Sequence, residues 1–152
     1  MPKILMISYY FPPSGGAGVQ RALKFVKYLP RFGWQPVVLT VDESAGFPVR
    51  DASLIREIPE SVRTVRTSIF EPYEAYRKFT GRKTQQGVDI ATLNRSAARS
   101  APEKIAEWIR AAFFVPDARR FWKQRAVRAG KRLIREEKFD AVFSTAPPYT
   151  CH

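Results

Sequence analysis

Cysteine is almost missing from this chain of 152 residues. Cys151 stands alone, so no internal disulfide can form and no thiolate metal cluster can be built. A reducing compartment is the expectation. Histidine is equally scarce: His152 is the only one, and a lone terminal histidine is expected simply to be exposed. No apolar run approaches the roughly 18 residues that a membrane-spanning helix requires. The apolar start is broken by Pro12-Pro13 with no small-residue cleavage site behind it, so it is not expected to act as a secretory signal. Internal repeats and low-complexity tracts are also absent. Acidic residues are few, 14 against 26 basic ones, for a formal charge of +12.

The basic excess is uneven. Residues 1–75 carry 9 basic and 7 acidic side chains, a net +2, whereas residues 76–152 carry 17 and 7, a net +10. Nucleic acid, an anionic membrane face or an acidic further domain would each account for it. No aromatic-interleaved RNA motif and no zinc spacing is present, which argues against nucleic acid. Hydrophobic residues make up 45% and aromatics 13%, enough for a folded core. The length suits about one domain, 1–152.

The pattern of elements reads as α/β. An apolar strand over about Lys3–Tyr9 runs into Phe11-Pro12-Pro13-Ser14-Gly15-Gly16-Ala17-Gly18-Val19-Gln20-Arg21. A helix follows, with Val19, Ala22, Leu23, Val26 and Leu29 on one stripe. Gly33 is placed to end it, and Pro36–Val41 makes the next buried strand. Strand, helix and strand form a right-handed βαβ unit with parallel strands. Beyond it, a short helix is expected near Ala52–Glu57, an edge strand over Ser61–Thr67 and a helix at Tyr73–Phe79. A mobile segment is expected over Thr80–Pro102, and a helix opens at Ala101-Pro102-Glu103. Asp117 is a candidate cap for a long helix from about Ala118 to Glu137. That helix carries Trp122, Ala126, Ala129 and Leu133 on one stripe, with Arg125, Arg128, Lys131, Arg132 and Arg135 opposite. A last strand covers Ala141–Ser144.

The glycine-rich turn is the best candidate site. A short strand, glycines and a helix N-terminus let backbone N–H groups meet an anion, with the positive end of the helix dipole behind them. Gly15, Gly16 and Gly18 are therefore candidate phosphate-binding residues. The alternative is a plain tight turn, because the run matches neither a dinucleotide fingerprint nor a Walker A loop. Gln20 and Arg21 are candidate side-chain donors, Arg21 equally a solvated helix residue. Thr145 and Tyr149, beside Pro147-Pro148, stand where open α/β sheets place their ligands. Arg128, Lys131, Arg132 and Arg135 form either a solvated face or a contact for an anionic membrane.

The opening from Lys3-Ile4-Leu5-Met6-Ile7 through the glycine run to Gly33-Trp34-Gln35-Pro36-Val37-Val38-Leu39-Thr40 resembles family-4 glycosyltransferases. The likeness returns at Pro48-Val49-Arg50-Asp51, at Pro116-Asp117 with Trp122, and from Phe139 to Tyr149. It implies a Rossmann-like open parallel sheet with flanking helices, as the acceptor-side N-terminal half of a GT-B architecture. It further implies a retaining sugar transfer from a nucleotide-sugar donor to a glycan or lipid-linked acceptor, with no obligatory metal or other cofactor. In such enzymes a second domain supplies most donor contacts, so the chain is expected to be an incomplete part that transfers no sugar alone. The expected location is cytoplasmic, or peripheral on the inner membrane face. The rival reading is a non-catalytic basic module on a Rossmann-like fold that holds an anionic polymer or membrane surface.

Overall fold

Four strands form one wholly parallel sheet in the computed structural model, which describes residues 1–43, 45–69 and 119–152. They are β1 (Lys3–Ser8), β2 (Gln35–Val41), β3 (Arg63–Thr67) and β4 (Ala141–Thr145), in the order β3-β2-β1-β4. Leu5 of β1 sits beside Val37 on one side and Val142 on the other, and Leu39 of β2 beside Val65. The strands expected from the sequence are all present, with ends differing by one or two residues. The helices expected at Tyr73–Phe79 and from Ala101, the segment Thr80–Pro102, the Pro116 stop and the Asp117 cap lie outside the described residues.

Alternation along the strands assigns each residue to a face. Met6 and Val38 point to one side and are covered by α1 (Ala17–Tyr28) through Ala22 and Val26. Leu5, Val37, Leu39 and Val41 point to the other, covered by α2 (Lys123–Glu136) and the Trp122 that precedes it. Two apolar layers against a buried parallel sheet are what near-continuous Val/Ile/Leu strands require. Pro30 ends α1 in a short 3₁₀ turn over Leu29–Phe32, and Gly33 follows with φ +77°, the left-handed conformation expected of a glycine there. Ala52–Glu57 is likewise a 3₁₀ turn, with Asp51 capping Ser53.

The long helix differs from its expected form in two respects. Trp122 belongs to a 3₁₀ turn, Arg120–Trp122, and α2 begins after it. Gly130 joins Ala126 and Leu133 in the buried stripe, while Ala129 is only partly buried. Gly130 faces Leu39 of β2, where a Cβ would stand at an ordinary contact distance of 3.6 Å, so the position is buried without requiring glycine. Trp122 is the pivot of this layer. Its indole N–H donates to Thr67 Oγ1 at 2.7 Å, and its ring packs edge-on against Tyr9 at 5.4 Å.

Two glutamates tie distant elements together. Glu57 receives Lys24 and Lys27 of α1 at 2.7 and 3.0 Å, and Glu137 receives Lys3 at 2.6 Å together with Arg63. The hydrogen bond from Lys24 holds the Glu57 carboxyl below the usual glutamate range, and the one from Lys3 does the same for Glu137. A carboxyl whose folded-state pKa is lowered stabilises the fold above its unfolded pKa and loses that contribution as pH falls through the folded value. The melting temperature should therefore drop on acidification into and below the ordinary carboxylate range. In Glu137→Gln the neutral-pH melting temperature should be lower and the acid slope shallower, as followed by circular dichroism across a pH series. An acid slope equal to that of the unaltered chain would show that this pair contributes nothing.

Candidate functional site

The strand order places a reversal between β1 and β4, because the chain adds β2 and β3 on one side of β1 and then crosses to the other. At such a switch point the loops leaving the two strands diverge and open a crevice at their carboxyl ends. Here the loops are the glycine run after β1 and Ala146-Pro147-Pro148 after β4. A cavity of about 160 Å³ lies between them, lined by Tyr10, Ser14, Gly18, Val19, Val49 and Pro147 among others. That volume is below the roughly 300–1,000 Å³ of a pocket for a drug-sized ligand. It admits one chemical group, not a whole nucleotide-sugar.

The glycine run is held rigidly from below. Phe11, Pro12, Pro13 and Ser14 are buried, and the segment 48–51 pairs with it in antiparallel fashion at Ser14 and Arg50. The Gly15 N–H donates to the Val49 carbonyl at 2.9 Å, and the Asp51 N–H donates to the Pro13 carbonyl at 2.8 Å. Gly15 stands in the donor set suggested by the sequence, but its N–H is taken by Val49. What Gly15 supplies is room: a Cβ there would lie 2.9 Å from Val49 Cγ1 and 3.3 Å from Asp51 Cβ.

The free donors come next in the chain. Gly16, Ala17 and Gly18 are exposed, and their N–H groups have no acceptor among the described residues. Gly16 is the N-cap residue, with φ +95°, and no side chain caps the helix. No acidic residue lies in the first turn of α1, so the positive end of its dipole is uncompensated. Ser14 lines the cavity under this turn, and its Oγ is sealed from solvent with no hydrogen-bond partner. A buried hydroxyl without a partner is costly, of order 1–3 kcal/mol, which singles out Ser14 among the residues that line the cavity.

Arg21 is no free surface residue. Its Nη2 donates to Thr145 Oγ1 at 2.5 Å and also to the Ala146 carbonyl, fastening α1 to the end of β4. Both bonds use one nitrogen, which leaves Nε and Nη1 without a partner among the described residues. Thr145 is 6% exposed, so it orients Arg21 from within the fold and does not line an open cleft. Gln20 is exposed on α1. Tyr149 is 70% exposed and outside the residues that line the cavity. His152 is exposed, with Nδ1 2.7 Å from Ser144 Oγ. The basic residues of α2 lie on the opposite layer and take no part in this crevice.

Ser14 and Val49 were not among the candidates read from the sequence. The one available signal was Pro48-Val49-Arg50-Asp51, which nothing local connects to a loop more than thirty positions earlier.

No family model matches the sequence, and none of the curated proteins does. Among solved structures, the apo form of UGT2 from Phytolacca americana is similar at 18% identity with a TM-score of 0.41. The match covers 95% of this chain and 24% of that one, so the chain spans about a quarter of its length.

The contact of Gly15 with the 48–51 segment is testable by itself. Gly15→Ala should destabilise the fold by about 1–3 kcal/mol, the usual penalty for inserting a methyl group into a closed contact. Adding Val49→Ala should restore part of the loss, since the two substitutions share one contact. Additive effects on the denaturant midpoint would mean that the two residues do not press on each other.

Proposed function

We propose that the chain is the acceptor-side Rossmann-like part of a glycosyltransferase that moves a sugar from a nucleotide-sugar to a glycan or lipid-linked acceptor. The observation that carries this reading is the set of three exposed, unpartnered N–H groups at Gly16, Ala17 and Gly18. They sit on the dipole of α1 at the switch point of a parallel sheet. Their chemistry suits a phosphate group. The remaining N–H groups of Arg21, held in place by Thr145 and Ala146, add cationic donors one helical turn away.

In such a reaction the bond from the anomeric carbon to the diphosphate oxygen breaks, and negative charge grows on the departing nucleoside diphosphate. Fixed N–H dipoles aimed at that charge stabilise the transition state more than the ground state and need no reorganisation. The segment 48–51 holds the turn rigid through Gly15, which keeps those dipoles aligned. The retaining course, the absence of an obligatory metal and a donor-binding second domain are implied by the likeness to family-4 glycosyltransferases and belong to the same proposal.

The test is a titration of the isotope-labelled chain with UDP and GDP at several salt concentrations, followed by amide chemical shifts. Saturable shifts centred on Gly16, Ala17 and Gly18 are expected. Gly16→Val should remove them with the fold retained, because a β-branched residue resists a φ of +95°. In an enzyme that turns over, the loss of one such donor typically lowers the rate on the order of 100-fold or more. Binding with a steep salt dependence and no preference for diphosphate would favour the basic module that holds an anionic polymer. An unshifted glycine turn at saturating nucleotide would remove the basis of the proposal.

A further inference from the structure

The exposed side of α2 is divided between two flanks with different fates. On one flank Arg125 donates to Ser68 Oγ, Arg132 pairs with Glu136 at 2.6 Å, and Glu136 also lies 3.8 Å from Arg63 of β3. This flank is satisfied within the fold. On the other flank stand Lys123, Val127, Arg128, Lys131, Ile134 and Arg135, all exposed. None of the four cations there has an ion-pair partner among the described residues. Val127 and Ile134, 45% and 52% exposed, share a column with Lys123 that lies between the buried stripe and the columns of Lys131, Arg135 and Arg128.

Helical spacing makes this one surface. Val127 and Ile134 are seven residues apart and stack two turns from each other, with Lys131 between them. Arg128 and Arg135 form the next column at the same spacing. The outcome is a short aliphatic ridge with unpaired positive charge along its outer side. A purely solvated face would leave the outer halves of both branched aliphatics in water. A nucleic acid backbone would meet the cations but offer the aliphatics nothing apolar. An anionic bilayer surface offers both: phosphate headgroups for the cations and the acyl boundary for the ridge.

We infer that α2 lies on anionic lipid through Lys123, Val127, Arg128, Lys131, Ile134 and Arg135, with Arg132 excluded because Glu136 already holds it. The contact is peripheral and reversible. Two aliphatic side chains and four cations give weak, salt-sensitive binding, and among the described residues no helix is long and apolar enough to cross a membrane.

The experiment is co-sedimentation of the chain with phosphatidylcholine vesicles that contain phosphatidylglycerol, against pure phosphatidylcholine vesicles and a mixed-sequence DNA duplex. Binding is expected to the first alone among the vesicles. Changing Lys123, Arg128, Lys131 and Arg135 to glutamine should weaken it by two to three orders of magnitude at low salt, following the usual contribution per basic residue. Added salt should erase that difference. Val127→Ser with Ile134→Ser should cost roughly tenfold, and this loss should persist as salt rises, because apolar insertion is not screened. Arg132→Gln should change binding by no more than about twofold, as expected of an exposed paired charge. All replaced side chains are exposed, so thermal melts should match the unaltered chain, and the nucleotide-induced shifts at Gly16–Gly18 should be unchanged in every variant. Equal vesicle binding by the unaltered and four-glutamine chains, or an aliphatic variant that binds as the unaltered chain does, overturns the inference. So does a charge effect seen on DNA and not on vesicles.

Discussion

The parallel pairing of β1 with β2 on one side and β4 on the other is the constraint on which the remaining architecture rests. Once the chain has placed β2 and β3 to one side of β1, the return to its other side makes the exits of β1 and β4 diverge. Everything of chemical interest gathers at that divergence: the glycine turn, the start of α1 and the Pro147-Pro148 turn. Arg21 spans the gap, reaching from α1 to Thr145 and the Ala146 carbonyl. The crevice is thus a consequence of strand order, and Arg21 ties the helix on one side of it to the strand end on the other.

A helix N-terminus alone is a common feature. What distinguishes this one is that the preceding turn is immobilised without using the donors that face outward. Gly15 directs its N–H inward to Val49, and the three that follow are left exposed. An N-cap serine or aspartate in place of Gly16 would place a side-chain oxygen on those N–H groups and compete with any anion. Glycine at φ +95° leaves them open.

Much of this was legible in the sequence, and the exceptions share a cause. The strands, the stripe of α1, the Gly33 terminus and the turn at Ala52–Glu57 all follow from local periodicity and turn chemistry, which are short-range signals. The Gly15–Val49 contact and the Arg21–Thr145 bond depend on residues 34 and 124 positions apart, which only the sheet order brings together. Gly130 is buried with Ala126 and Leu133, yet a glycine adds no apolar side chain by which a stripe could be read. The withdrawal of Arg132 from the basic face is different. Glu136 stands four residues on, so that pairing was readable from helical spacing.

The two sites are linked by the direction of α2. It leads into β4 through a short connection and so runs antiparallel to the strands, with its first turns at their carboxyl edge. Trp122 fixes this end, bonded to Thr67 at the close of β3 and packed edge-on against Tyr9 just past β1. The glycine turn opens at that same edge, on the other layer of the sheet. On the readings proposed here, a lipid surface against Lys123, Val127 and Arg128 therefore lies beside the end of the sheet where the diphosphate would be held.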